Sequence, residues 1–255
     1  MRSRAAAGIM SISEYEEYTC LTWPALETVP YDGWLLRFSG GVTHRSNAVY
    51  PLYPSTFELE RKLAYCADAY RERGLPTVYK ITSAVHPPGL DARLAAEGYE
   101  AHENTVVMVR NMDALDTPPS HDVTLESEMT DAWLDAYLTI QPRWAALRET
   151  FAVMMRADVG QRTYASAVVD GRIAAVGTLS RSRHAAAVYN MATDPARRGQ
   201  GMGTSILRAL IGQASRIGVR ALFLHVSADN DTAIRLYNRA GFAESYRYHY
   251  RIAPA

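Results

Sequence analysis

The sequence predicts an α/β protein that contains two tandem copies of one mixed-sheet unit. Three observations indicate this fold class. Strand and helix patterns alternate in the C-terminal half, the same order recurs in the N-terminal half, and a polar segment rich in proline separates the two. The chain has 255 residues, enough for each half to bury its own core.

Three strand patterns open the C-terminal half. Apolar runs at 163–170 and 173–180 flank Asp170-Gly171, a dipeptide typical of a two-residue hairpin turn. A third strand is predicted over 184–193. A glycine-rich loop at 199–203 then leads into an amphipathic helix over 204–217, which Gly218 ends as a C-cap glycine.

The C-terminal half closes with a strand, a helix and a strand. We expect a strand at 221–226, a helix that Asp229-Asn230-Asp231 caps and that runs to Arg239, and a last strand at 246–252 after Gly241-Phe242. This order of elements predicts a layered α/β unit.

The N-terminal half repeats the pattern. Asp32-Gly33 introduces a strand at 34–38, a second strand contains residues 48–50, and a helix over 56–73 stops at Gly74. A strand at 77–82, a short helix at 90–97 that ends at Gly98-Tyr99, and a strand at 105–109 follow. The repetition predicts a duplication with domains at 13–112 and 121–255, although any two α/β domains share such an order.

The segments outside the two units have no regular pattern. The linker over 111–121 contains the run 116–120, whose prolines and polar residues disfavour helix and strand. Residues 1–12 are expected to be disordered or a leader, and Met10 is a second possible start. No sustained apolar segment follows the basic opening, so a signal peptide is not expected.

Composition excludes several function classes. The formal net charge is zero, which argues against non-specific binding to nucleic acid or to an anionic membrane. No apolar run is long enough to span a bilayer. Cys20 and Cys66 lie far apart and outside any metal-ligand spacing, so we expect free thiols, a cytoplasmic protein and no metal site.

The glycine loop carries the strongest chemical signal. A loop that leads from a strand into a helix leaves backbone N–H groups unpaired, and these groups bind anions such as phosphate at the positive end of the helix dipole. Gly199, Gly201 and Gly203 let the backbone approach a ligand closely, and Arg197 and Arg198 add charge. The spacing fits neither the dinucleotide fingerprint nor a P-loop, which would require Lys-Ser/Thr.

The segment 190–203 resembles the acetyl-CoA signature of the GNAT superfamily of N-acetyltransferases, in which Arg/Gln-x-x-Gly-x-Gly/Ala holds the CoA pyrophosphate. Arg198, Gly201 and Gly203 fill those positions. The segment 230–242 resembles the second motif of the family. The resemblance covers 121–255 well and 13–110 only as a fold, and it implies two tandem acyl-CoA N-acyltransferase-like domains.

The resemblance implies roles for individual residues. The acetyl-CoA site would contain Met191, Ala192, Thr193, Arg198, Gly199, Gln200, Gly201, Met202, Gly203, Thr204 and Asn230. The backbone N–H near Met191 would polarise the thioester carbonyl, and Tyr237 would protonate the leaving thiolate. Tyr237 has an alternative interpretation as a core tyrosine.

The sequence does not reveal a general base. Many family members have a carboxylate on the strand before the glycine loop, where this chain has Tyr189 and Asn190. His225 on the next strand is of a type with a suitable pKa, as a base or a proton relay. A histidine within an apolar strand is also typical of a satisfied core residue.

Acceptor recognition leaves several alternatives open. Glu126, Glu128 and Asp131 fit either acceptor contacts or a solvated helix start. Trp133, Tyr137, Trp144 and Arg148 fit either a pocket wall or a helix with core and surface positions. The polar stretch 39–47 fits a ligand-facing loop or an ordinary hairpin loop, and its region contributes the candidates Trp34, Arg37, His44, Arg45 and Asn47.

The N-terminal copy is predicted to be degenerate. Counting back from Gly74, its equivalent of the glycine loop falls on 54–59, where no glycine occurs and Pro51 and Pro54 lack the N–H that a phosphate requires. Counting back from Gly98, Leu94 occupies the position of Tyr237. This half is expected to serve structure or acceptor recognition and not to bind CoA in the same manner.

The favoured function is transfer of an acetyl group from acetyl-CoA to a primary amine of a small molecule, peptide or protein. A CoA-binding regulatory module without turnover is the first alternative, and a nucleotide-binding protein the second. A homodimer is possible.

Overall fold

A computed structural model of the protein describes residues 10–112, 121–157 and 161–254. Eleven strands in these ranges form one mixed sheet. They are β1 (Glu27–Tyr31), β2 (Trp34–Phe38), β3 (Val49–Tyr50), β4 (Val78–Ile81), β5 (Glu100–Asn111), β6 (Thr124–Glu126), β7 (Gln161–Val169), β8 (Arg172–Ser182), β9 (Ala185–Thr193), β10 (Ala221–Ser227) and β11 (Ala243–Ile252). The α-helices are α1 (Ile12–Thr22), α2 (Leu59–Arg71), α3 (Leu90–Ala96), α4 (Asp131–Ile140), α5 (Arg148–Arg156), α6 (Met202–Arg216) and α7 (Asp231–Arg239).

The predicted elements are present, and the structure adds α1, β1, β6 and α5 to them, together with short 3-10 helices at His44–Ser46, Pro142–Leu147 and Pro195–Arg197. A capping box of Ser11 and Glu14 starts α1. Its buried positions include the polar Glu16 and Thr19, so the helix lacks the apolar stripe by which sequence analysis finds helices. The predicted linker run 116–120 and residues 1–9 lie outside the described residues.

The same turns occur at matching places in both halves. Asp32 and Gly33 have φ values of 43° and 83°, and Asp170 and Gly171 have 52° and 74°, so each pair forms a hairpin turn with both central residues at positive φ. In each half, a parallel pair of strands follows the hairpin: β3 with β4, and β9 with β10. The repetition predicted from the sequence is therefore present in the backbone.

The two halves exchange their closing strands. The sheet order is β1-β2-β3-β4-β11-β5-β10-β9-β8-β7-β6, so β5 of the first half lies between two strands of the second, and β11 lies between two strands of the first. All contacts of β5 and β11 within the sheet are antiparallel. One continuous sheet thus joins two similar units.

Helix α1 connects the halves a second time, because it packs on β8 and β9 of the C-terminal half. Tyr15 contacts Phe223 edge-on at 5.6 Å, and Trp23, just after the helix, lies 4.9 Å from Tyr189 between ring centroids. The Thr22 hydroxyl lies 2.9 Å from the Tyr189 hydroxyl. The N-terminal half therefore forms part of the wall beside β9.

Three general expectations concern membranes, metals and cysteines. Within the described ranges, no helix is both long and apolar enough to cross a bilayer. The same ranges contain no group of three or more His, Cys, Asp and Glu side chains that could hold a metal ion. Cys20 and Cys66 are free thiols.

Candidate active site

Strands β9 and β10 separate halfway along their length. They pair in parallel from Ala185 to Val188 of β9, opposite Ala221 to Leu224 of β10, and their pairing ends there although both strands continue. Asn190 in β9 has a φ of 54° and marks a break in the register with β8. Its side-chain amide donates to Thr178 Oγ1 at 2.8 Å. This bulge bends β9 away from β10 and opens a gap between the two strands.

A cavity of about 390 Å³ occupies this gap. Its wall combines side chains from both halves of the chain, and several are aromatic. The C-terminal half contributes Tyr189, Asn190, Met191, His225, Asn230 and Tyr237, and the N-terminal half contributes Trp23, Thr43, His44, Arg45 and Glu103. A cleft of this size is typical of small-molecule sites.

The glycine loop leads from the end of β9 to the start of α6. Gly199 and Gly201 have φ values of 77° and 84°, which favour glycine, and Gly201 is the N-cap of the 15-residue helix. The first N–H groups of this helix have no partner within it, so they are available to an anion. A Cβ at Gly203 would lie 3.3 Å from Thr193 Oγ1, so the start of α6 abuts the end of β9.

Side chains of the loop divide into exposed and anchoring groups. Arg198, Gly199, Gln200 and Gly201 are exposed, whereas Met202 is buried and Thr204 is half-buried. Arg197 forms an ion pair with Asp170 at 2.5 Å. Of the two neighbouring arginines, the exposed Arg198 is therefore better placed than Arg197 to bind a ligand.

Asn230 and Tyr237 lie on one helix beside the cavity. Asn230 is the N-cap of α7, and its Oδ1 accepts the N–H of Ala233 at 3.1 Å. Tyr237, two turns later, lines the cavity and is 7% exposed. Burial raises the pKa of its hydroxyl to about 12, so Tyr237 holds its proton at neutral pH.

The comparisons with known proteins agree with this geometry. A family model described as "Probable histone acetyltransferase Rv0428c C-terminal" matches residues 10–251. The chain belongs to this family, within the GNAT superfamily. Its membership supports an acetyltransferase activity and implies acetyl-CoA as the co-substrate.

One sequence relative matches nearly the whole chain, and two solved structures share its fold. The uncharacterized N-acetyltransferase YobR of Bacillus subtilis is 27% identical over 248 residues, which are 94% of this chain and 98% of that protein. The structure of a GCN5-related N-acetyltransferase from Kribbella flavida has a TM-score of 0.74 at 17% identity and covers 98% of this chain and 97% of its own. A tandem GNAT protein from the clavulanic acid biosynthesis pathway has a TM-score of 0.62 at 17% identity, with 99% and 90% covered. The fold predicted from the sequence, two acyl-CoA N-acyltransferase-like domains, is confirmed.

His225 lies in the cavity wall of this GNAT protein, half-buried on β10. Its Nε2 is 3.2 Å from Thr19 Oγ1, and its buried Nδ1 has no hydrogen-bond partner among the residues that the structure describes. Burial, and then the positive charges of Arg45 and Lys80, lower the pKa of His225 well below its usual value. Such an imidazole is a weak proton acceptor.

His44 and Glu103 form a second candidate group for proton transfer. His44 Nδ1 lies 3.4 Å from Glu103 Oε2, an electrostatic contact at the cavity rim. The His44 ring packs edge-on against Tyr250 at 5.2 Å. The neighbouring His44 lowers the pKa of the Glu103 carboxyl, so Glu103 is charged at neutral pH and can orient the imidazole.

The acceptor candidates of the C-terminal GNAT domain separate into two groups. Tyr137 and Trp144 line the cavity. Trp133 is fully buried in the core, where its Nε1 donates to Ala165 O at 3.0 Å, so of its two alternatives the core position is the one observed. The remaining candidates lie outside the cavity: Arg148 pairs with Asp135 at 2.5 Å, Glu128 and Asp131 are exposed, and Glu126 lies in β6.

The N-terminal candidates also divide. His44 and Arg45 line the cavity, while Arg37 and Asn47 are buried beneath the loop 39–47. Asn47 Oδ1 accepts the N–H groups of Ser39 at 2.7 Å and Gly41 at 3.0 Å. Trp34 instead packs in the N-terminal core, with its Nε1 bonded to His86 O at 2.8 Å, so its predicted acceptor role is wrong.

Sequence analysis missed Trp23, Glu103, Tyr248 and Tyr250. Glu103 reaches the cavity because β5 has a bulge there, where Glu103 has a φ of 54°, and no glycine marks that bulge in the sequence. The tyrosines had a signal. Tyr246, Tyr248 and Tyr250 alternate along β11 and are all buried, as the period of a strand predicts for one face.

In the N-terminal half, a carboxylate of the chain itself binds the loop that leads into α2. Asp32 accepts the backbone N–H groups of Thr56 at 2.9 Å and of Phe57 at 2.9 Å. Lys62, which is 1% exposed, lies 3.3 Å from Asp32 Oδ2. Thr56 and Phe57 lie just before Glu58, the N-cap of α2, within the segment 54–59 that the sequence count aligns with the glycine loop, so Asp32 occupies backbone donors of this loop that an anion would otherwise need.

Proposed function

We propose that the protein transfers an acetyl group from acetyl-CoA to a primary amine of a small molecule or peptide, by direct attack in a ternary complex. One observation carries the proposal: the cavity in the gap between β9 and β10 is lined by Met191 and Tyr237, and β9 runs on from Met191 to Thr193, against which the start of α6 packs. A thioester bound along this gap would meet an amine from the cavity. The degenerate domain at 13–112 would supply part of the acceptor wall, and the domain at 121–255 would bind acetyl-CoA.

The acetyl-CoA site would contain the residues that the family motifs match. Arg198 and the backbone N–H groups of 199–204 would hold the pyrophosphate at the positive end of α6. Met191, Ala192 and Thr193 would bind the pantetheine arm along the free edge of β9, and Asn230 would contact it from α7. The fit rests on the positive φ of Gly201, the exposure of the loop and the close approach at Gly203.

The chemistry needs two proton transfers and no protein nucleophile. The amine nitrogen bonds to the carbonyl carbon as the C–S bond breaks, with the backbone N–H near Met191 stabilising the developing oxyanion. Tyr237 donates its proton to the departing thiolate. The amine loses its proton to a base, for which His44, oriented by Glu103, is a better candidate than His225, whose pKa is lowered.

A CoA-binding regulatory module without turnover is the competing function. CoA release from acetyl-CoA, measured with a panel of primary amines, separates the two. Amine-dependent release supports the transferase. Binding of acetyl-CoA without release for any amine would favour the regulatory module.

A nucleotide site is tested by thermal stabilisation, because a ligand of the native state raises its stability by mass action. We expect CoA to raise the unfolding temperature and ATP and NAD to leave it unchanged. The opposite order would contradict the proposal.

A further inference from the structure

Arg45 places a guanidinium in the cavity wall without an acidic partner. Its Cζ lies 5.3 Å from the ring centroid of Trp23 and 5.4 Å from that of Tyr189, so it stacks on the two rings. Its buried Nε has no hydrogen-bond partner, and no carboxylate in the described part of the chain lies within ion-pair distance of it. Arg45 is hydrogen-bonded to the Tyr248 hydroxyl and its charge acts on Glu103, but neither group forms an ion pair with it, so a ligand carboxylate would supply one.

The backbone beneath Arg45 is held by buried donors. Arg37 Nη1 donates to Arg45 O at 2.7 Å, and the Tyr50 hydroxyl donates to the same oxygen at 2.8 Å. Arg37 and Tyr50 are almost fully buried. Thr43 caps the short 3-10 helix His44–Ser46 and accepts the indole N–H of Trp23 at 3.1 Å. The arginine is thus presented on a rigid loop, as a preorganised binding group requires.

Positive charge exceeds negative charge around the cavity floor. Glu16 neutralises Lys80, with Lys80 Nζ 2.6 Å from Glu16 Oε2. The described partners of the Arg37 guanidinium are backbone carbonyls and the ring of Tyr50, none of which carries a negative charge. Glu103, the acid of the cavity wall, faces His44 at the rim. Burial tends to raise the pKa of Tyr248, yet Arg45 and Lys80 lower it overall. The field within the cavity is therefore positive.

We infer that the acceptor is a small primary amine that also carries a carboxylate, and that Arg45 binds this carboxylate. The inference rests on the proposed function and names its substrate class. A guanidinium presents paired donors that match the two oxygens of a carboxylate. A cavity of about 390 Å³ with aromatic walls holds a molecule of the size of an amino acid.

The same field assists the chemistry. An ammonium group that enters a positive region has a lowered pKa, so it gives up its proton more readily and attacks as the neutral amine. A carboxylate on the acceptor would offset the repulsion that the ammonium group meets on entry. Substrate recognition and amine activation would then depend on the same arginine.

The test compares matched acceptors on the wild-type protein and on Arg45→Gln. Glycine, β-alanine and 4-aminobutyrate are each paired with the corresponding carboxamide, and CoA release gives kcat/KM. We expect the wild type to prefer the carboxylates. Arg45→Gln should reduce kcat/KM for carboxylates by about 10- to 100-fold and for carboxamides by less than about threefold, because one charge-assisted pair is lost.

Two controls separate this effect from misfolding. Arg148→Gln makes the same change at an exposed arginine outside the cavity and should leave the preference intact. Arg45→Lys keeps the charge without the planar fork and should retain part of the preference. Circular dichroism and acetyl-CoA affinity show whether each variant is folded.

Binding is measured separately, as thermal stabilisation by each amine in the presence of CoA. Carboxylates that stabilise the wild type but not Arg45→Gln support the inference even without turnover, in which case only the proposed transferase fails. Equal effects of carboxylates and carboxamides on the wild type would overturn the inference. Faster acetylation of a peptide with an internal lysine than of any carboxylate in the panel would overturn it as well.

Discussion

Tyr237 shows how far single residues can be read from the sequence. The spacing of its motif placed it on a helix after an asparagine cap, and in the structure it faces the same cavity as Asn230 and Met191. Trp34 and Trp133 were equally visible as aromatic residues but lie in the core. A motif fixes a residue relative to a known ligand geometry, whereas residue type alone does not distinguish a pocket wall from a core position.

Tyr237→Phe should lower kcat by about 100-fold and leave acetyl-CoA affinity unchanged, because the change removes a proton donor and keeps the ring. Steady-state CoA release and calorimetric titration with acetyl-CoA measure the two quantities. Tyr65→Phe, at an exposed tyrosine on α2, is the matched control. Turnover that stays normal in Tyr237→Phe would remove the acid role.

His225 gives a prediction for pH-dependent stability. The pKa of His225 in the folded state lies well below its usual value. Below about pH 6.5 the unfolded chain therefore binds a proton at this residue that the native state does not bind. The wild type should lose up to about 2 kcal/mol of unfolding free energy between pH 6.5 and pH 5 through this group, and His225→Gln should not. Urea unfolding at several pH values measures the difference, and parallel curves for the two proteins would contradict the lowered pKa.

We further expect His44→Gln to reduce turnover far more than His225→Gln.

At the scale of elements, the sequence located most strands and helices but not the two irregularities that build the site. Turns and caps such as Asp170-Gly171 and Gly218 have local chemistry and were predicted. The bulges at Asn190 and Glu103 contain no glycine, and although asparagine tolerates a positive φ, the pairing of the surrounding sheet decides where each bulge lies. The opening between β9 and β10 therefore emerged only in the fold.

The loop that leads into α2 allows a test at this scale. Asp32→Asn removes the carboxylate that Thr56, Phe57 and Lys62 bind, so the unfolding temperature should fall by several degrees at pH 7. Burial tends to raise the pKa of Asp32, but hydrogen bonds from Phe57 and Thr56 lower it overall, so its contribution is present above about pH 4 and is lost as the pH falls further. The difference from the wild type should shrink in acid.

Asp68→Asn on α2 is the control, because Asp68 is exposed and pairs with Arg71 on the surface. It should change the unfolding temperature little. An Asp32→Asn protein as stable as the Asp68→Asn protein would show that the carboxylate has no structural role at α2.

For the whole molecule, the repeat was visible in the sequence but the exchange of β5 and β11 was not. Strand order depends on contacts between distant segments, whereas a sequence pattern describes one segment at a time and does not show which strands pair. The exchange makes the cavity a joint product of both domains, since Trp23 and Arg45 face Tyr189 across it. It also explains how the N-terminal half contributes to the site.

The exchange predicts that neither domain folds alone. A fragment of residues 121–255 lacks β5, so it exposes the facing edges of β10 and β11 and loses the cover of α1. We expect it to aggregate or to lack cooperative unfolding, and co-expression with residues 10–112 to restore a soluble complex. Size-exclusion chromatography and circular dichroism measure both, and a monomeric, cooperatively unfolding fragment would contradict the role of the exchange.

The central claim is that acetyl-CoA binds at the loop that starts α6, and calorimetric titration of Gly201→Glu with acetyl-CoA tests it most directly. A glutamate there adds a negative charge to the anion site at a backbone position of φ 84°. Gly212→Glu makes the same change within α6, where a side chain meets nothing within 4 Å. We predict that Gly201→Glu weakens acetyl-CoA binding by at least about 100-fold, because charge-assisted phosphate contacts are lost. Gly212→Glu should bind acetyl-CoA like the wild type. Unchanged affinity in a folded Gly201→Glu protein would contradict the account.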